Sequence, residues 1–210
     1  MGNKRRCVII GGGACSVKIL KNNIHSEDFV ICADGGYDLA NECGIIPDLL
    51  IGDFDSIKAI PGNVYKITLP VEKDVTDSVA AYNEGVKRGF TNFVMFGGTG
   101  GRFEHTFANI SLMANASYEG HQYEIIDERH IFRCISGSSV KIERKENQQV
   151  SVIAYGSSAI GVTEKGFYYT LNDEVLSPFD VAQGVSNHIV DDYGEISVKD
   201  GTLIVIETKM

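Results

Sequence analysis

The sequence has 210 residues, of which 43% are hydrophobic and 22% are charged, as in globular proteins of one large or two small domains. This composition excludes a disordered or fibrous chain. The 28 acidic residues outnumber the 19 basic ones, giving a formal net charge of −9. Without a basic cluster, such a chain is a poor partner for nucleic acid or an anionic membrane surface, and we expect neither.

The first part of the chain alternates short apolar strands with helical segments. The pattern predicts strands at 7–10, 29–33, 49–52, 64–69, 93–96 and 123–126, and helices at 16–20, 37–43, 76–88 and 103–116. Such alternation is typical of βαβ units. The predicted first domain, residues 1–127, is therefore an α/β domain with a mostly parallel, Rossmann-like sheet and helices.

The pattern changes after residue 127. Strand-length runs recur at 130–135, 140–143, 150–154, 167–171, 195–198 and 203–206, without helical segments between them. Short strands at this spacing are typical of a β-sandwich. The predicted second domain, residues 128–210, is therefore an all-β sandwich.

The cysteines indicate a reducing compartment. They number five, include no C-x-x-C pair and lie in apolar surroundings, which favours reduced thiols over a disulfide framework or structural zinc. No apolar run approaches the roughly 18 residues of a transmembrane helix. The apolar run at 7–10 is also too short for the core of a signal peptide. We expect a cytoplasmic protein.

Two aspartates directly follow the predicted strand 49–52. Asp53 and Asp55 are two residues apart, so an extended backbone directs both carboxylates to one side. Carboxylates at the carboxyl end of a strand suit Mg²⁺, and open α/β sheets bind ligands at that edge. A solvated turn, closed by Asp55 or Ser56, explains the same residues equally well.

Asp74 and Asp77 flank Thr76 at the start of the predicted helix 76–88. Taken alone, the pair favours capping of the helix, since Asp and Thr accept hydrogen bonds from free amides and Asp suits the positive helix end. The alternative is that one carboxylate points to the sheet edge as a metal ligand or base. Carboxylates that converge there would require cations to neutralise them.

Three glycine-rich loops also follow predicted strands. They lie at 11–13, at 34–36 and at 97–101, the last followed by Arg102. Glycines let a phosphate approach backbone amides, a helix N-terminus favours anions, and arginine matches phosphate oxygens. None of the loops is a Walker A or a G-x-G-x-x-G motif, and each alone could be a tight turn. Their shared position at strand ends indicates a phosphate site.

In the predicted sandwich, Gly184-Val185-Ser186-Asn187 is a small polar cluster between β runs. Ser and Asn favour a turn, which is the simpler interpretation. The alternative is that the hydroxyl and amide groups bind the edge of a heterocycle.

In this order, the motifs resemble those of the bacterial thiamine pyrophosphokinases (thiamine diphosphokinases). The resemblance rests on Ala33-Asp34-Gly35-Gly36, Gly52-Asp53-Phe54-Asp55-Ser56-Ile57, Lys73-Asp74-Val75-Thr76-Asp77, Gly97-Gly98-Thr99-Gly100-Gly101-Arg102-Phe103-Glu104-His105 with Ala108-Asn109, and Gly184-Val185-Ser186-Asn187. It extends from about residue 8 to the C-terminus. It implies an α/β catalytic domain, a C-terminal sandwich, and the reaction of ATP with thiamine to give AMP and thiamine diphosphate.

The resemblance also implies roles for particular residues. Mg²⁺ would be held by Asp53, Asp55 and Asp77, with Asp74 and Arg102 as further catalytic residues. ATP would be bound by Gly11, Gly12, Asp34, Gly35, Gly36, Ser56, Thr76, Gly98, Arg102 and Glu104. Thiamine would be bound by Asp77, Ser186 and Asn187, in a homodimer whose active sites lie at the subunit interface.

Three departures from the family pattern stand out. Glu104 replaces the usual Asp, Tyr37-Asp38 replaces the common Ala-Asn, and the chain has no Trp to stack on thiamine. Tyr168 or Tyr193 could take that last role. Two other functions are weighed against the kinase: a diphosphokinase for another hydroxymethyl heterocycle such as a pterin, and a non-catalytic nucleotide sensor. A sensor predicts degenerate acidic residues, whereas Asp53, Asp55, Asp74 and Asp77 are all present.

Overall fold

The computed structural model describes residues 6–54, 62, 64–70, 74–180 and 183–210. Two units are distinguished within the chain. The first comprises residues 1–112 and 125–128, and the second comprises residues 113–124 and 129–210.

The first unit contains a parallel sheet. Its strands are β1 (Cys7–Ile10), β2 (Phe29–Ala33), β3 (Leu49–Gly52), β4 (Tyr65–Thr68) and β5 (Asn92–Phe96), and its helices include α1 (Val17–Asn23), α2 (Gly36–Glu42) and α3 (Asp77–Lys87). The strands lie in the order β4-β3-β2-β1-β5, and every pair is parallel. This confirms the predicted α/β fold. Helix α4 (Phe103–Tyr118) and strand β6 (Gln122–Ile126) follow in the chain.

The central strands β1, β2 and β3 of this sheet are buried. Val8, Ile10, Val30, Cys32 and Leu50 form a core with residues of the flanking helices. Continuous apolar runs are typical of parallel strands covered on both sides. Since Ile10 pairs with both Cys32 and Phe96, the neighbouring strands end at the same level. The residues that follow them therefore share one edge of the sheet.

The second unit is built from antiparallel strands. They are β7 (His130–Ser136), β8 (Ser139–Glu143), β9 (Gln148–Lys165), β10 (Glu174–Leu176), β11 (Tyr193–Ser197) and β12 (Asp200–Lys209). β12 pairs with β7 and β9, and β11 pairs with β8 and with the end of β9. The long β9 thus belongs to both sheets, which enclose a core that includes Val152, Phe167 and Leu203. The predicted all-β sandwich is confirmed.

The strand predicted at 167–171 is wrong. Phe167 forms a single bridge to Ile189, and no strand follows it until β10. Tyr168 and Tyr169 are exposed, and the amide of Tyr169 donates to the side chain of Asn187. Aromatic and β-branched residues favour strands, but here a side chain takes the place of a neighbouring strand.

All five cysteines are free thiols, as predicted. Burial raises the pKa of Cys7 and of Cys134 to about 12, so these thiols stay protonated at neutral pH. Among the described residues, no helix is both long enough and apolar enough to cross a bilayer.

Candidate active site

A cleft of about 670 Å³ opens in the first unit, within the size range of small-molecule sites. Its walls come from the segments that follow β1, β2 and β5 and from the first turns of α3 and α4. This is the edge at which open α/β sheets bind ligands.

Most of the predicted nucleotide-binding residues line this cleft. They are Gly11, Gly12, Asp34, Gly35, Thr76, Gly98 and Arg102, and Asp77, predicted as a metal and thiamine ligand, lines the cleft as well. Four predicted site residues are not among the described residues that line the cleft: Asp53, Asp74, Gly36 and Glu104. Asp55 and Ser56 lie outside the described residues.

The first and third glycine loops lie side by side at the cleft. The amide of Gly13 donates to the carbonyl of Gly97 at 2.9 Å, and the amide of Ala14 donates to the carbonyl of Thr99 at 2.9 Å. Gly97 has φ of +65°, and a Cβ there would collide with the carbonyl oxygen of Gly11. Only glycine allows this approach of two backbones.

Two polar side chains that were given no role in the sequence analysis hold the third loop. The buried Asn109 of α4 donates from Nδ2 to the carbonyl of Gly98 at 2.8 Å. Thr99 donates from Oγ1 to Asp127 Oδ2 at 3.0 Å. An asparagine within the apolar pattern of helix α4 is the sequence signal for such a role, because a buried amide requires partners.

Three of the described acidic residues line the cleft: Asp34, Asp38 of α2 and Asp77. Asp34 follows β2 with φ of +45°, a conformation uncommon outside glycine, and its amide donates to the carbonyl of Ile51 at 2.8 Å. Asp77 lies in the first turn of α3. The cap of that helix is Thr76, whose Oγ1 accepts from the amide of Val79 at 3.3 Å.

Asp53 is half-buried directly after β3, and Asp74 is exposed before α3. Within the described ranges, no three His, Cys, Asp or Glu side chains are grouped so as to hold a metal ion. Asp55 is outside those ranges, so the predicted set of Asp53, Asp55 and Asp77 stays a prediction. The acidic donors of the cleft are all carboxylate oxygens, which suit Mg²⁺.

Arg102 lies at the rim of the cleft, where its side chain is 74% exposed. Its Nε donates to Glu104 Oε1 at 2.6 Å. The pKa of Glu104 is lowered, first by its own backbone amide at the start of α4 and then by Arg102. This pairing uses one of the five N–H donors of the guanidinium.

In the second unit, Ser186 and Asn187 differ in exposure. Ser186 is exposed, has φ of +59°, and its amide donates to Ser151 Oγ at 3.0 Å. Asn187 is buried, and its side-chain amide bonds to residues of its own chain. Of the candidate aromatics, Tyr168 is stacked on His188, and Tyr193 lies against the Lys141 ammonium.

Two family models match the sequence. The catalytic domain of thiamin pyrophosphokinase matches residues 20–126, and the vitamin B1 binding domain of thiamin pyrophosphokinase matches residues 138–203. The chain belongs to the thiamin pyrophosphokinase family. Membership confirms the predicted enzyme class, an ATP-using thiamine diphosphokinase, and favours thiamine over a pterin as acceptor.

Known relatives agree with this assignment. The thiamine pyrophosphokinase of Bacillus subtilis (strain 168) is 28% identical over 212 residues, which cover 96% of this chain and 97% of the relative. A crystal structure of thiamine pyrophosphokinase from Bacillus subtilis matches with a TM-score of 0.89 at 24% identity, covering 98% of this chain and 100% of that one. Yeast thiamin pyrophosphokinase matches with a TM-score of 0.77 at 16% identity, covering 99% and 87%. At these identities, the structural matches show a shared fold.

Proposed function

We propose that the cleft of the first unit binds Mg²⁺ and ATP and transfers the diphosphoryl group to the hydroxyl of thiamine. The observation that carries this proposal is the contact between two glycine loops. The amides of Gly13 and Ala14, at the end of the loop at 11–13, donate to carbonyls of the loop at 97–101. Closely packed glycine backbone at strand ends leaves room for phosphate oxygens near the amides. We also propose that the ATP-binding domain comprises residues 1–127 and the thiamine-binding domain residues 128–210.

The proposed metal ligands are Asp53, Asp55 and Asp77. Asp77 lines the cleft, and Asp53 follows a strand that ends at the same edge of the sheet. When bound, Mg²⁺ supplies positive charge that offsets the phosphate oxygens and the acidic side chains. The net charge of −9 makes such neutralisation necessary for a polyphosphate ligand.

The transfer itself requires little covalent participation by the protein. The hydroxyl oxygen of thiamine forms a bond to the β-phosphorus of ATP, and the bond from that phosphorus to the α,β-bridging oxygen breaks. AMP leaves with the bridging oxygen. We assign the hydroxyl proton to the carboxylate of Asp77 or Asp74, and we assign Arg102 to the charge that develops on the phosphate oxygens.

Ser186 is the proposed contact to the thiamine ring in the second unit. The amide of Asn187 already bonds within its own chain, so we propose that Asn187 shapes the thiamine site by holding the adjacent Ser186. We further propose a cytoplasmic homodimer with active sites at the subunit interface.

The reaction is tested by product analysis. Incubation with ATP, Mg²⁺ and thiamine is expected to release AMP and thiamine diphosphate in equal amounts, and a hydroxymethylpterin is expected to release none. Release of ADP would contradict diphosphoryl transfer. AMP release with the pterin but not with thiamine would contradict the proposed acceptor.

Arg102→Ala is expected to lower kcat/KM for ATP by about 100-fold, because a guanidinium that meets transferring phosphate stabilises charge in the transition state. The kcat/KM of Arg102→Lys is expected to lie between those of Arg102→Ala and the parent, since lysine keeps the charge but lacks the paired N–H donors of the guanidinium. The control is Lys18→Ala, which removes an exposed cation of α1 outside the cleft. Equal rates for Arg102→Ala and Lys18→Ala would refute the assignment.

A further inference from the structure

Glu164, near the end of β9, is a carboxylate in the core of the second unit and is 2% exposed. Glu164 pairs with Ile196 of β11 and lies two residues after the apolar Val162. Burial raises its pKa to about 7. Its Oε2 accepts from Asn187 Nδ2 at 3.0 Å, whereas its Oε1 has no hydrogen-bond partner among the described residues. A carboxylate in this setting is costly, and an apolar side chain would often be more stable.

The side chain of Asn187, the hydrogen-bond partner of this carboxylate, also bonds to the backbone of two other residues. Besides Glu164, its Nδ2 donates to the carbonyl of Tyr169 at 2.7 Å. Its Oδ1 accepts from the amides of Tyr169 at 3.1 Å and His188 at 3.0 Å. One side-chain amide therefore joins two separate loops.

Of the described groups that fix which way that amide faces, Glu164 is the one side chain, and it acts together with the backbone of Tyr169 and His188. An amide group donates only from nitrogen and accepts only at oxygen. Rotation of Asn187 by half a turn would place Oδ1 against the Glu164 oxygen and Nδ2 against two backbone N–H groups. The Glu164 acceptor thus favours the single orientation that satisfies every group around Asn187.

The same loop holds Ser186 in an unfavourable backbone conformation. Ser186 has φ of +59°, and a non-glycine residue stays in such a conformation only where its surroundings enforce it. The flanking restraints are the two backbone hydrogen bonds between Asn187 and Val150, at 2.8 and 2.9 Å, and the bond from the Ser186 amide to Ser151.

We propose that Glu164 is a positioning residue: by orienting the Asn187 amide, it holds Ser186 and the Tyr169 loop in the arrangement that binds thiamine. The inference rests on the proposed function only in its assignment of Ser186 to the substrate. Glu164 itself does not touch the substrate and acts through Asn187.

The test compares two variants of similar length. Glu164→Gln keeps a carbonyl oxygen that accepts from Asn187, whereas Glu164→Met fills the space without an acceptor. Glu164→Met is expected to raise KM for thiamine at least 10-fold and to leave KM for ATP within about twofold. Glu164→Gln is expected to stay within about threefold of the parent for both substrates. If Glu164 served stability alone, KM for thiamine and KM for ATP would change by similar factors in Glu164→Met.

The second measurement is hydrogen–deuterium exchange, which reports on the loops without any reaction. Glu164→Met is expected to speed exchange at least 10-fold at the amides of Tyr169 and His188, and Glu164→Gln is expected to leave it unchanged. If Glu164→Met does not fold, Glu164→Ala replaces it in both measurements, because it removes the acceptor without adding bulk.

The outcomes separate the two proposals. Unchanged exchange and unchanged KM in the apolar variant overturn the positioning role, as does an equal rise in KM for thiamine and ATP. Faster exchange with an unchanged KM for thiamine also overturns it, because the loop would then be irrelevant to the substrate. If the parent protein releases no AMP with thiamine, the proposed reaction is contradicted. The positioning role is then tested by the affinity for thiamine: weaker binding in Glu164→Met than in the parent and Glu164→Gln supports it, and equal binding in all three overturns it.

Discussion

Asp77→Asn is expected to lower the rate of AMP formation by about 1000-fold, within the range for loss of a group that handles charge or a proton in the transition state. Asp77 lies in the first turn of α3 and lines the cleft beside the glycine loops. Asparagine has nearly the same size, so the Thr76 cap and the helix should remain. The substitution removes only the negative charge that the mechanism requires for the metal ion or the proton.

The matched control is Glu84→Gln on the same helix. Glu84 forms an ion pair with Arg88 at 2.9 Å near the end of α3, and it is not among the described residues that line the cleft. It tests whether loss of any acidic residue from α3 lowers the rate. Both variants are assayed at saturating ATP and thiamine over a range of Mg²⁺ concentrations. Turnover in Asp77→Asn within a few-fold of the parent would rule out Asp77 as a ligand or base.

Gly97→Ala is expected to lower the free energy of unfolding by about 3 kcal/mol or more, because it combines a strained φ with a backbone collision. The added Cβ would meet the carbonyl of Gly11, which belongs to the other glycine loop and has no flexible end that can move aside. Separation of the loops is also expected to raise KM for ATP at least 10-fold. Urea unfolding followed by circular dichroism, together with initial rates, measures both effects.

Gly44→Ala separates these two contributions. Gly44 has φ of +72°, close to the +65° of Gly97, but a Cβ there would meet nothing within 4 Å. It therefore carries the conformational cost alone, about 1–2 kcal/mol. If the two alanine variants lose equal stability, the close packing of the glycine loops is not required by the fold.

Most strands of the first unit could be predicted closely because each of these is a short apolar run that ends at glycine or aspartate. The runs at 7–10, 29–33 and 49–52 are apolar throughout, and the structure has strands at those residues. Such runs are typical of parallel strands whose two faces are both covered. The glycines and aspartates that follow could be placed at the sheet edge by the same reasoning.

The second unit shows where such reasoning fails. The run at 167–171 has the aromatic composition of a strand, yet Tyr168 and Tyr169 are exposed in a loop. The partner of the Tyr169 backbone is the side chain of Asn187, and local composition contains no information about that contact. Strand propensity describes a fit to a pleated, half-buried surface, which this loop does not offer.

By itself, the sequence determined the two types of domain, the positions of most strands and the family to which the chain belongs, because burial patterns and short motifs are local properties. Only the tertiary structure joined the loops at 11–13 and 97–101, placed Asn109 behind the second of them, and paired Glu164 with Asn187 in the core. These contacts link distant parts of the chain. They depend on the register in which strands pair and on the requirement that buried polar atoms find partners, and neither can be read from neighbouring residues.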